Sequence, residues 1–136
     1  MDNEKRISIV VSKHSFEAAM EALIIASTAG AFVDKVDLFF TFWGIKLITK
    51  GYKPKLAGIM APFTFMMRSK MKKQGVQSFE EMLEVCVEMG VNFHACSTSM
   101  DLMGIKEEDL IEGAQISGAS TFLSGAIGSE TQLFIG

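Results

Sequence analysis

A cysteine that closes an apolar run and directly precedes helix-capping residues is placed for thiol chemistry. In this chain that residue is Cys96, which ends Val91-Asn92-Phe93-His94-Ala95-Cys96 and is followed by Ser97-Thr98-Ser99-Met100-Asp101. The order reads as strand, cysteine, helix start. In an open α/β sheet the carboxyl ends of the strands face the binding crevice, so a thiol at this point is presented to a pocket. A helix beginning just after it would stabilise the thiolate, the reactive form. Free cysteine is also among the most buried residue types, and position alone leaves both readings open.

The other residues able to do chemistry are fewer and less pointed. Cys86 falls on one stripe with Phe79, Met82 and Leu83, which makes it a core residue. His94 lies inside the strand that ends at Cys96 and reads as packed, and Asp101 reads as a helix cap with Thr98. The Glu107-Glu108-Asp109 cluster suits a solvated helix start. No zinc site is expected, because the cysteines and histidines lack a ligand spacing.

Strands and helices alternate along the chain that must position these groups. Ile7 to Val11 is a β-branched run of the kind buried on both faces of a parallel sheet. Ser15 can cap a helix with Phe16, Met20, Leu23, Ile24 and Ser27 on one stripe, stopping at Gly30. Val36 to Phe42 reads as a second strand ending at Trp43 and Gly44. Ser78 caps an amphipathic helix ended by Gly90, with Glu80, Glu81, Glu84 and Glu88 on its wet face. Val91 to Ala95 is a third strand, Ala114 to Ser117 a fourth, and Thr131 to Ile135 a fifth. Between the last two lies a small-residue helix flanked by Gly118, Ser120 and Ser124. The pattern predicts an α/β domain with a mainly parallel sheet of about five strands, helices on both faces and right-handed crossovers.

Composition sets the wider bounds. The chain has 136 residues, 49% of them hydrophobic, enough for one domain with a genuine core and incompatible with disorder. Met1 to Arg6 is polar and leads into a strand-like run, so no secretory leader is expected. Two cysteines without such a leader suit a reducing, cytoplasmic setting. The net charge of −3 conceals a segregation: no acidic residue lies between Asp37 and Glu80, a stretch carrying eight lysines and arginines. The remainder holds 5 basic against 16 acidic residues, or −11. A segregated positive field favours an anionic ligand or an acidic partner, although the same lysines could simply solvate a connection.

Residues 52–75 do not fit a minimal α/β domain. Leu56 to Met67 is largely apolar and includes Pro62, and Arg68, Lys70, Lys72 and Lys73 follow it. Twelve residues are too few to span a bilayer, which takes about 20. A Met- and Phe-rich insertion with a basic flank is expected to be a lid or an interface, with an interfacial membrane contact as a third reading.

Several of these strings resemble the DsrE/DsrF/DsrH-like sulfur-relay family, most closely its peroxiredoxin-like branch. They are Val10-Val11-Ser12-Lys13, Phe39-Phe40-Thr41-Phe42-Trp43-Gly44 and, above all, Ala95-Cys96-Ser97-Thr98-Ser99-Met100-Asp101-Leu102-Met103-Gly104, followed by Ile-Lys-x-Glu-Asp-Leu. The resemblance runs from about Arg6 to Ile135 and implies a single domain over residues 1–136. It implies a three-layer flavodoxin-like fold, a homo-oligomer, and a cysteine carrying sulfane sulfur as a persulfide or thiosulfonate. The chain lacks a second cysteine in a resolving position. With the flavodoxin-like strand order 2-1-3-4-5, Cys96 would fall beside the first βα loop. Ser12, Lys13 and His14 would then join Ser97, Thr98 and Ser99 as substrate-binding residues around a nucleophilic Cys96. The partners implied are a TusA-like or rhodanese-like sulfur carrier and a small sulfur anion, with no DNA, no transmembrane segment, no cofactor and no metal. Two other classes stay in view. One is a nucleotide- or flavin-binding oxidoreductase, although no Gly-x-Gly-x-x-Gly follows the first strand. The other is a noncatalytic assembly subunit docking through the basic, Met-rich segment.

Overall fold

A computed structural model describes residues 4–136. All five strands are parallel: β1 (Arg6–Val11), β2 (Lys35–Phe40), β3 (Asn92–Cys96), β4 (Gln115–Ser117) and β5 (Thr131–Ile135). Among the described residues five α-helices accompany them: α1 (Phe16–Ala29), α2 (Thr64–Lys73), α3 (Phe79–Glu88), α4 (Ser97–Met103) and α5 (Ala119–Ala126). Two of the caps read from sequence, Ser15 and Ser78, are in place. The Ser15 hydroxyl accepts from the Ala18 amide, and Ser78 and Glu81 form a reciprocal capping box.

The strand order is β4-β3-β2-β1-β5, which corrects the expected 2-1-3-4-5. From β1 to β4 the chain steps each time to the next strand on the same side. The helices of those steps therefore share one face: residues of α1, α3 and α4 pack in one apolar core with Ile9, Leu38, Phe40 and Phe93. Only β4 to β5 runs back across the sheet, and a right-handed connection in that direction puts α5 on the opposite face. Its Phe122 and Ala126 accordingly pack with Phe39, Val10 and Cys96 in a separate cluster.

The two faces of the sheet differ in chemistry. The α1/α3 face is dry and close-packed, with Ile9, Leu38 and Ala95 wholly buried. Alternate residues turn the other way: Ser8 on β1, Asp37 on β2, Asn92 and His94 on β3, and Ser117 on β4. The first strand is thus not apolar on both faces, as its β-branched run suggested. Helix α1 also departs from expectation, since Ile24 is exposed and the buried side is built from Ala18, Ala19, Ala22, Ala26 and Ala29 around Phe16, Met20 and Leu23. Small residues allow α1 to lie close to both the sheet and α3.

The insertion folds as a 3-10 turn (Gly58–Phe63) containing Pro62, followed by α2. Its root is anchored. Leu56 is buried and its amide donates to the Thr64 hydroxyl at 2.8 Å, while the Phe16 amide donates to the Lys55 carbonyl at 2.7 Å. Arg68 lies over the Phe16 ring and pairs with Glu80 at 3.3 Å, so this part of the basic flank is clipped to the body. The rest stands out: Ile59, Phe63, Phe65, Met66 and Met67 are exposed. A groove of about 540 Å³ runs among Met60, Phe63, Phe65, Met66 and Met67, with Lys70 and Lys73 at its edge. No helix among the described residues is long and apolar enough to cross a membrane.

Candidate functional site

Cys96 is the last residue of β3 and at the same time the N-cap of α4, whose first residue is Ser97. No side chain caps that helix, so the predicted Thr98–Asp101 capping pair does not start it. The helix closes at Gly104 in the left-handed region, which favours glycine (φ 68°). Cys96 is free and partly exposed, and it packs at the edge of the Phe39 and Phe122 cluster. Those two rings stack 4.5 Å apart.

The corrected strand order moves the crevice without removing it. The connection leaving β3 goes to the α1/α3 side and the connection leaving β4 goes to the α5 side, so the chain parts between β3 and β4. Ligands of open α/β sheets lie at such a point, outside the carboxyl ends of the strands. Cys96 stands on one lip and Ser117, its register partner, on the other. Gly118 follows Ser117, and a Cβ built there would lie 3.8 Å from the Ser97 hydroxyl. Ser97 therefore lines the crevice, Thr98 is exposed beside it, and Ser99 is buried.

Ser12, Lys13 and His14 lie elsewhere on the same rim. They follow β1, and β2 stands between β1 and β3, so two strand spacings of about 4.8 Å each separate this loop from Cys96. The Ser12 amide donates to the Ile135 carbonyl at 2.9 Å. The His14 ring is 5.9 Å from that of Trp43 and 6.2 Å from that of Tyr52, whose hydroxyl donates to the His14 carbonyl. Partial burial, and then the charge of Lys46, hold the His14 pKa below its ordinary value. Lys46 itself lies 5.2 Å over the Trp43 ring. This corner depends on Gly44, where any Cβ would collide with the Val11 carbonyl. Phe42, just before it, has φ 46°, a region that a non-glycine residue seldom occupies.

Beneath Cys96, on the α5 side, lies a polar cluster that the sequence reading missed. The Asp37 carboxylate accepts from Asn92 at 2.8 Å, meets His94 Nε2 at 3.4 Å and pairs with Arg6 at 3.4 Å. The other ring nitrogen of His94, Nδ1, is 2.9 Å from the Ser117 hydroxyl. Burial works against the charge on Asp37, but hydrogen bonds from His94 and Asn92 and the Arg6 charge outweigh it and hold the pKa below its ordinary value. Gly125 of α5 makes room, because the Arg6 guanidinium occupies the place of any Cβ there. The cluster borders a cleft of about 230 Å³ lined by Lys35, Gln115 and Thr121 among others. The signal was present in sequence: Asn92, His94 and Cys96 recur at a period of two, placing them on one face of one strand.

Cys86 is fully buried, and its thiol approaches the Leu23 carbonyl at 3.7 Å. Burial pushes its pKa up to about 11, so it is almost wholly protonated at neutral pH.

Known proteins share both sequence and architecture with this chain. The sulfur carrier protein DsrE2 of Allochromatium vinosum is 32% identical, with 97% of this chain and 99% of that protein covered. The protein YrkE of Bacillus subtilis is 30% identical, with 98% and 99% covered. Among solved structures, the ychN protein of E. coli superposes with a TM-score of 0.66 at 18% identity, covering 96% of this chain and 98% of that one. The MTH1491 protein of Methanobacterium thermoautotrophicum gives 0.55 at 14% identity, covering 96% and 99%. These two likenesses speak to the fold. Residues 3–62 and 53–134 match the DsrE/DsrF/DrsH-like family, and together with the full-length sequence relatives they show that the chain belongs to it.

Proposed function

We propose that this protein is a sulfur carrier in which Cys96 accepts sulfane sulfur and hands it to a partner protein. The observation that carries the reading is the placement of Cys96: partly exposed, at the carboxyl end of β3, facing Ser117 and Gly118 where the chain parts. A full-length relative bearing the name sulfur carrier protein supports it. In loading, the Cys96 thiolate attacks the outer sulfur of a donor persulfide, R–S–SH. A sulfur–sulfur bond forms to Cys96, the donor bond breaks, and the donor leaves as a thiol once protonated. No net oxidation occurs, so no resolving cysteine is needed. Ser97, Thr98 and Ser99 surround the terminal sulfur, whose charge their hydroxyls and amides offset. Ser12, Lys13 and His14 sit two strands further along the rim, where they meet the donor or acceptor instead of the sulfur atom itself.

Intact-protein mass spectrometry after exposure to polysulfide, thiosulfate or tetrathionate tests this. Adducts of sulfur or thiosulfonate mass are expected on the wild-type protein and on Cys86→Ser, and none on Cys96→Ser. Loading at Cys86, or none at all, would refute the assignment.

The donor or acceptor is proposed to be an acidic carrier of the TusA-like or rhodanese-like kind, or a small sulfur anion, drawn by Lys70, Lys72 and Lys73. Two free cysteines suit the reducing cytoplasm. Self-association is proposed as well, because an apolar groove as large as that of Met60 to Met67 seeks cover. Light scattering should then give a mass well above 14.9 kDa, reduced in a Phe65→Asp/Met66→Asp variant. A wild-type monomer would leave the segment as a lid.

A further inference from the structure

We propose that Asp37, His94 and Ser117 form a proton relay serving Cys96, taking the thiol proton when sulfur is loaded and returning it to the departing thiol. The inference rests on the carrier role of Cys96 and concerns how that thiol is activated.

The geometry is directional. An ionised carboxylate only accepts hydrogen bonds, so the His94 nitrogen facing Asp37, Nε2, carries the ring proton. Nδ1 is then an acceptor, and the Ser117 hydroxyl 2.9 Å away donates to it. With its hydrogen committed to His94, the Ser117 oxygen keeps its lone pairs for a further donor. The residue paired with Ser117 across the β3/β4 ladder, on the same face, is Cys96. Strand spacing puts the two backbones about 4.8 Å apart, within reach of a side-chain rotation or one bridging water.

The charges around the ring favour this use. The ionisable groups that surround His94 are Arg6 from β1 and Lys35 and Asp37 from β2; β4 presents Ser117 and Gln115, and α5 carries no ionisable residue. Asp37 is buried and already held as an anion by Arg6 and Asn92, so it can stabilise the imidazolium formed as the proton arrives. The cleft beside His94 gives that proton contact with solvent. A purely structural cluster would be an odd choice here. Buried ion pairs seldom stabilise more than apolar residues of the same shape, and the opposite face of these strands is apolar throughout β3.

Proton and electron pairs balance. The Cys96 proton passes to the Ser117 oxygen while the Ser117 proton passes to His94 Nδ1. The Cys96 thiolate displaces R–S⁻ from R–S–SH, and the reverse shift through Ser117 converts R–S⁻ to R–SH. Cys96 is left as a persulfide and His94 as the neutral ring.

Iodoacetamide labelling of Cys96 against pH, in a Cys86→Ser background, tests the relay without any sulfur donor. Ser117→Ala and His94→Gln are each expected to slow labelling at neutral pH about tenfold, as loss of a positioned general base would. Ser117→Thr, which keeps the hydroxyl, should retain the parent profile. The double variant should be no slower than either single one, because the groups act as a unit. A Ser117→Ala protein with native circular dichroism and an unchanged profile would overturn the relay, as would additive losses in the double variant. Should His94→Gln fail to fold, the nearly isosteric Ser117→Ala decides. Sulfur loading, measured separately by mass, distinguishes the two readings: loading with unchanged labelling profiles defeats only the relay, and slowed labelling without loading defeats only the carrier role.

Discussion

Replacing Phe40 by alanine is expected to lower the free energy of unfolding by about 3–5 kcal/mol, a large part of the roughly 5–15 kcal/mol available to a domain of this size. Phe40 is 1% exposed, on the central strand β2, with its ring 6.1 Å from that of Phe93 and nearly parallel to it. Above it α1 offers Ala19 and Ala22, which have no side chain to swing into the space vacated. Leu23, Leu47 and Leu83 also border the ring, and how far they lean into the gap sets the cost within that range. A urea titration should show a lower midpoint with an unchanged slope, the mark of lost stability without a change in the surface exposed. A loss below about 1 kcal/mol would mean that the core collapses around the gap, contrary to this packing.

Removal of the Asp37 carboxylate is the second large effect. Asp37→Ala strands the Arg6 guanidinium, Asn92 and one nitrogen of His94, and should cost about 3 kcal/mol at neutral pH, the lower end for a buried pair because Arg6 retains some exposure. Acid should expose the same group. The folded-state pKa of Asp37 lies below its unfolded value, so its contribution is fully present above the unfolded pKa, about 3.9, and is lost as pH falls through the folded value. Wild-type stability should thus decline below about pH 4 more steeply than that of Asp37→Asn, which has no proton to gain. Equal acid slopes in the two proteins would contradict the assigned network.

Much of the fold is legible because local chemistry decides it. Ser15 and Ser78 cap helices because their hydroxyls satisfy amides that a helix start leaves unpaired. Cys86 is core because its spacing from Phe79 and Met82 places it on the one stripe of α3 that turns inward. Thr131 to Ile135 forms the expected fifth strand, following the turn at Gly128. Ile24 misled because a stripe drawn through the largest apolar residues overlooked an alanine face suited to closer packing.

What the sequence by itself determined is the set of elements, the family, and a cysteine at a strand end ahead of a helix; each follows from residues within a few positions of one another. Only the tertiary structure decided which strands are neighbours, because apolar strands pair with similar free energy in several orders and the path of the crossovers selects among them. That choice set the first loop, with Ser12, Lys13 and His14, two strands away from Cys96. It also brought His94 to Asp37 and Ser117, 57 and 23 residues away along the chain, where burial and the demand for hydrogen-bond partners bind them into one network under the thiol.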